Sequence, residues 1–140
     1  MEKREAILAR LHAAAQRLPQ YESRYQSLGQ RDYDHIYPLV RGYILDRFLL
    51  TEEMCPGEKL LDLADVSLRY MLALKRMGID PGQISRSCSG ASSVISKKVL
   101  LMKAVQEDFG VTMSPEQSAA LATVTQLTDY ILAQRAGEQA

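Results

Sequence analysis

The sequence has few cysteines, no long apolar run, no excess of charge and no sustained polar–apolar alternation, and each shortage removes a class of protein. Its two cysteines, Cys55 and Cys88, stand 33 positions apart, which fits neither a disulfide framework nor a paired-thiol redox motif. Reduced thiols and a cytoplasmic location are the expectation. The longest apolar runs, Val99-Leu100-Leu101-Met102 and Phe48-Leu49-Leu50, are flanked by charge and fall far short of the roughly 20 residues that cross a bilayer. No membrane span is expected. The start, Met1-Glu2-Lys3-Arg4-Glu5, carries mixed charge, and Arg10, His12 and Arg17 interrupt the Ala-rich stretch behind it, so no signal peptide and no export are expected. Seventeen basic residues offset seventeen acidic ones. Without a basic run or a basic recognition helix, nucleic acid is not an expected partner.

Catalytic and metal motifs are missing as well. His12, His35, Cys55 and Cys88 lack any spacing that gathers metal ligands. No Gly-rich phosphate loop or paired-carboxylate motif occurs, and neither histidine sits in a motif that would hold a base beside a nucleophile. The chain is therefore not expected to be an enzyme. The local cluster of Asp32, Asp34 and His35 reads as a helix start with Asp34 as its cap.

What is present is helical periodicity, and 46% hydrophobic residues is enough for one buried core. Ile7, Leu8, Leu11, Ala15 and Leu18 recur at steps of three and four, predicting a first helix that Pro19 ends. A second starts near Asp34, holds Pro38 in its first turn and puts Ile36, Leu39, Val40, Tyr43, Ile44, Phe48 and Leu49 on one broad apolar face. A third runs from Glu58 to Met77, with Leu60/Leu61, Ala64, Leu68, Met71/Leu72 and Leu74 as its stripe and Gly78 as its stop. Asp80-Pro81-Gly82 opens a Ser-rich connection reaching Ser93. A fourth helix, from about Ser93 to Asp108, sets Val94, Ile95, Val99, Met102, Val105 and Phe109 inward, with Gly110 as its stop. Ser114-Pro115-Glu116-Gln117 starts a short helix, and Thr123 or Thr125 caps a last one carrying Val124, Leu127, Tyr130 and Ile131. The expected fold is all-α, five or more helices in a bundle without a sheet.

The stretch Ala104-Val105-Gln106-Glu107-Asp108-Phe109-Gly110-Val111-Thr112-Met113, followed by Leu121-Ala122-Thr123-Val124-Thr125-Gln126-Leu127-Thr128-Asp129-Tyr130-Ile131, resembles the end of an acyl carrier protein. In that family an amphipathic helix ends in acidic residues and Phe-Gly, and a short helix leads to Thr-Val and a closing helix ending in Tyr-Ile. The resemblance implies one domain over 1–140, with a carrier-like bundle at 58–135 and an N-terminal helical extension at 1–50. It also implies a 4′-phosphopantetheine arm on a serine at the start of the fourth helix, acyl-transferring or condensing enzymes as partners, and a place in lipid or polyketide metabolism.

The local match to the attachment motif is Gly90-Ala91-Ser92-Ser93-Val94, which makes Ser93 the residue implied to carry the arm. Ser92 stands where the family has Asp, and Val94 where it has Leu. Counted back from Phe109 without a gap, the attachment position falls on Ile95, so Ser93 requires two extra residues in the helix. The family's acidic second helix is replaced by one bearing Lys97, Lys98 and Lys103, the wrong sign for partners that dock through basic patches. Lys97, Leu100 and Lys103 are the candidate partner-binding residues, Leu100 because it shares a side with Ser96, Lys103 and Glu107. The helices of 1–50 are expected to wrap that surface or to serve a homo-oligomer or partner interface. The alternative function is a carrier fold without the prosthetic group, acting as a protein-interaction module.

Overall fold

In the computed structural model the described residues are 2–85 and 93–139, with side chains over 3–85 and 93–134. Among them are eight helices and no strand: α1 Glu2–Arg17, α2 Gln20–Gln26, α3 Tyr33–Phe48, α4 Leu60–Arg76, α5 Pro81–Ile84, α6 Val94–Phe109, α7 Pro115–Ala120 and α8 Val124–Gln139. The Ser-rich connection at 86–92, with Cys88 and Ser92, lies outside the described residues. Cys55 is buried and unbridged. None of the described helices is long and apolar enough to cross a membrane.

The helix ends follow local chemistry. Asp32, not Asp34, caps α3, its carboxylate accepting from the His35 amide at 3.0 Å and facing the His35 ring at 2.5 Å. That bond to the His35 side chain is the main reason the Asp32 pKa is lowered. The earlier start moves Pro38 beyond the first turn, to an interior position of α3. Gly110 closes α6 in the left-handed conformation at φ 66°, which a residue without Cβ adopts at little cost. Leu49 takes the same conformation at the end of α3 with φ 59°. It is held there by the Arg10 guanidinium, which donates to its carbonyl at 3.1 Å, and by full burial of its side chain. Thr123 caps α8 by accepting from the Gln126 amide at 3.0 Å.

Two helices depart from the expected organisation. Pro19 ends α1 but also stands at the N-cap of α2, whose Tyr21 and Tyr25 are buried. Pro81–Ile84 forms a single turn, α5, capped by Asp80 through the Gly82 amide, where a loop was expected.

α3 lies at the centre. It packs most extensively on α8 and also touches α1, α2 and α4, while α4 lies along α6. The first 50 residues do not sit outside a separate bundle. Tyr21, Tyr25, Ile36, Val40, Tyr43 and Ile44 share one continuous core with Leu60, Leu63, Leu101, Val105, Phe109, Val124, Leu127 and Ile131. The Phe109 ring meets Tyr25 and Tyr43 edge-on at 5.1 and 5.2 Å, a favoured aromatic arrangement. A smaller cluster, Leu11, Ala14, Leu49, Met71, Leu74 and Ile79, seats α1.

Polar groups inside this core are paired. Arg17 holds both oxygens of buried Asp46, from Nε at 2.9 Å and Nη2 at 2.7 Å, and the Tyr21 hydroxyl donates to the same carboxylate at 2.6 Å. Arg41, 7% exposed, donates to Glu52 and to the carbonyls of Cys55 and Gly57. An antiparallel bridge ties the starts of α4 and α8, the Leu60 amide bonding the Ala122 carbonyl and the Val124 amide the Glu58 carbonyl, both at 2.9 Å.

The stripe of α4 is rotated from the expected one. Leu60, Leu63, Ala64, Ser67, Met71 and Leu74 are buried, whereas Leu68 is half-buried and Leu72 is 55% exposed. Ser67 occupies the middle of the buried seam because its hydroxyl donates to the Phe48 carbonyl at 2.8 Å, satisfying a group that would otherwise be costly to bury.

Candidate functional site

Ser93 is exposed and occupies the N-cap of α6, with φ −144° and ψ 164°. A reciprocal capping box surrounds it: Ser93 Oγ accepts from the Ser96 amide at 3.1 Å, and Ser96 Oγ accepts from the Ser93 amide at 3.0 Å. The Ser93 hydroxyl in turn donates to Ser96 Oγ at 3.0 Å. The Val94 and Ile95 amides, as first-turn donors, have no acceptor within the helix. This end of α6 lies beside the end of α4, since Lys97 Nζ is 3.4 Å from Met71 Sδ.

Lys97 leaves the candidate surface altogether. It is 2% exposed, and its Nζ stands 5.0 Å from the Phe48 ring centre, a cation–π contact in place of the solvent expected around it. Leu100 is half-buried, and Lys103 is exposed. Ile95 and Val99, expected in the core, are instead 63% and 58% exposed. The cause is the composition of α6: apolar residues occupy most of its circumference, so periodicity alone does not choose which of them turn inward. Tertiary packing turns Leu101, Met102, Ala104, Val105 and Phe109 inward, and Lys97 with them.

Ile95, Val99, Met102 and Gln106 then form one wall of a cavity of about 410 Å³ whose other sides are Leu61 of α4 and the Met113–Ala119 region around α7. α7 has no fully buried residue. Lys98 and Lys103 stand on the cavity wall, and among the described residues no carboxylate does. Lys98 Nζ donates to the Ala119 carbonyl at 3.1 Å, in the last turn of α7, and burial lowers its pKa from the ordinary lysine value. Gln106 supports the far end, its Oε1 accepting from the Met113 amide at 3.2 Å.

No family model, curated protein or solved structure matches the chain. The site therefore stands on its geometry and on the sequence resemblance. Its parts are an exposed hydroxyl at the start of a 16-residue helix and, from two residues further on, an apolar groove edged by two lysines. Lys98, Val99, Leu61, Met102, Gln106 and Met113 are among the members that sequence reading did not assign to a site. The i, i+4 spacing of Ile95 and Val99 marks a helical face, but a core face carries the same mark. Of the local cluster Asp32, Asp34 and His35, Asp32 is the cap of α3 and Asp34 lies in its first turn. Among the described residues no group of three or more His, Cys, Asp or Glu side chains could hold a metal ion.

Proposed function

We propose that this chain is an acyl-carrier-like domain that presents an acyl or aminoacyl group, tethered through 4′-phosphopantetheine to Ser93 Oγ, to separate acyl-transferring or condensing enzymes. The observation that carries this reading is the position of Ser93: exposed, immediately before α6, in a chain whose α6, α7 and α8 follow the order of amphipathic, short and closing helix that the resemblance implies. The residues there fit the group. Ser93 supplies the hydroxyl to be esterified, and the first-turn amides with the positive end of the α6 dipole favour a phosphodiester beside it. When bound, the arm supplies a mobile thiol that holds cargo as a thioester. The chain's own residues anchor that arm and offer a surface for partners, so the chemistry belongs to those partners.

A second reading has an observation of its own. The Ser93 hydroxyl is engaged as acceptor and as donor within the capping box, so here Ser93 serves the helix, and the fold acts as an interaction module with no prosthetic group. Incubation with a broad-specificity phosphopantetheinyl transferase and coenzyme A separates the two. The carrier reading expects a gain of about 340 Da in intact mass that is lost in Ser93→Ala and kept in Ser92→Ala and Ser96→Ala. A wild-type mass that never changes supports the interaction module.

A further inference from the structure

We propose that the α6–α7 groove is a docking site for an acidic amphipathic helix of a partner protein. The inference concerns the surface beside Ser93 and holds with or without an arm on that serine.

Three observations converge on this occupant. Ile95 and Val99 lie one turn apart on the groove wall and each exposes more than half of its surface, so the two form a contiguous apolar patch rather than isolated exposed residues. The wall from Ile95 to Gln106 spans twelve residues, about 16 Å at the α-helical rise. Such a trough suits three turns of a helix that lays its i, i+4 and i+7 apolar residues into it. Among the described residues the charge on the groove is of one sign. Lys98 and Lys103 line it, whereas Asp62, Glu107 and Glu116, the adjacent carboxylates in sequence, do not. Lys98 uses one of its three donors on the Ala119 carbonyl and keeps two for a second acceptor. Partial burial has also removed some of its water, so a carboxylate arriving there meets an ammonium that has already lost part of its solvation. Complementary charge over an apolar floor selects glutamate- or aspartate-flanked helices and rejects basic ones.

The test titrates the full chain against a fluorescent three-turn peptide with leucines on one face and glutamates flanking them, and against its twin with lysines in place of the glutamates. Saturable binding of the acidic peptide, at least about tenfold tighter than the twin and weakened by salt, is expected. Val99→Glu, at an exposed position, abolishes it with an unchanged circular dichroism spectrum. The Lys98→Glu/Lys103→Glu double variant reverses the preference. Ser93→Ala leaves binding intact, which separates this proposal from the carrier reading. Equal affinity for the two peptides, no saturable binding, or binding that survives Val99→Glu overturns it. A concentration-dependent dimer of the chain alone that Val99→Glu dissolves also overturns it, by giving the groove to a second copy.

Discussion

At the scale of single residues, stability rests on a few aromatic and polar side chains that join distant parts of the chain. Phe109 is 1% exposed and wedged between Tyr25 and Tyr43. Phe109→Ala is expected to cost about 3 to 5 kcal/mol, read as a lower midpoint of urea unfolding with an unchanged slope; a loss below about 1 kcal/mol would place the ring outside the core. Tyr21 has a different signature. Burial, followed by its hydrogen bond to Asp46, pushes its pKa from 10.0 to about 12. Below about pH 10 the phenol is protonated in both folded and unfolded chains, and its contribution is fully present. As pH rises from about 10 to about 12 the unfolded phenol ionises first, so the contribution is progressively lost. Tyr21→Phe is therefore expected to be less stable than wild type at neutral pH but to lose less stability across that alkaline window. Parallel denaturation curves for the two proteins at pH 9 and 11.5 would refute it.

At the scale of elements, polar contacts at helix ends add to the shared core. The Glu58 carboxylate, just before α4, accepts from the Thr125 amide and hydroxyl at 3.2 Å each and from the Tyr37 hydroxyl. One side chain thus caps the first turn of α8, helps fix α3 and lies next to the bridge between the starts of α4 and α8. Glu58→Ala is expected to destabilise the fold by about 1 to 3 kcal/mol, the range for orphaning partly buried donors. Amide hydrogen exchange should quicken first in the opening turns of α8, whereas uniform quickening across all helices would point to a global effect instead. Pro38 marks another element-scale compromise: inside α3 it removes one helical donor, and burial of Ile36, Leu39, Val40, Tyr43 and Ile44 on the same helix offsets the loss.

For the whole molecule, the decisive fact is that α3 supplies the surface on which α8 closes. The N-terminal helices complete the core of the C-terminal ones, and the Tyr43 hydroxyl donates to Asp108 near the end of α6. A fragment starting at residue 58 would expose Val105, Phe109, Val124, Leu127 and Ile131, all at most 1% exposed in the full chain. It is expected to lack cooperative thermal unfolding and dispersed amide resonances, while adding 1–57 in trans restores part of both. A fragment that unfolds cooperatively by itself would make 1–50 a dispensable appendage.

Sequence alone determined the helical class and most helix boundaries, because these depend on local chemistry: Gly78 and Gly110 as stops, Ser93 and Ser114 as caps, Pro115 as a first-turn residue. It also identified the inward face of α3, whose apolar residues form one stripe, and the packing positions of Phe109, Val124, Leu127 and Ile131. The tertiary structure decided what local chemistry leaves degenerate. α6 carries apolar residues on most of its surface, so only its packing on Met71 of α4 and Phe48 at the end of α3 could bury Lys97 and leave Ile95 and Val99 facing out. Ser67 is buried because the Phe48 carbonyl from another helix waits opposite it, a partner 19 residues away that no periodicity reveals. The groove beside Ser93 belongs to the same class of fact. Its walls come from α4, α6 and α7, and its charge from which lysines the packing leaves outside.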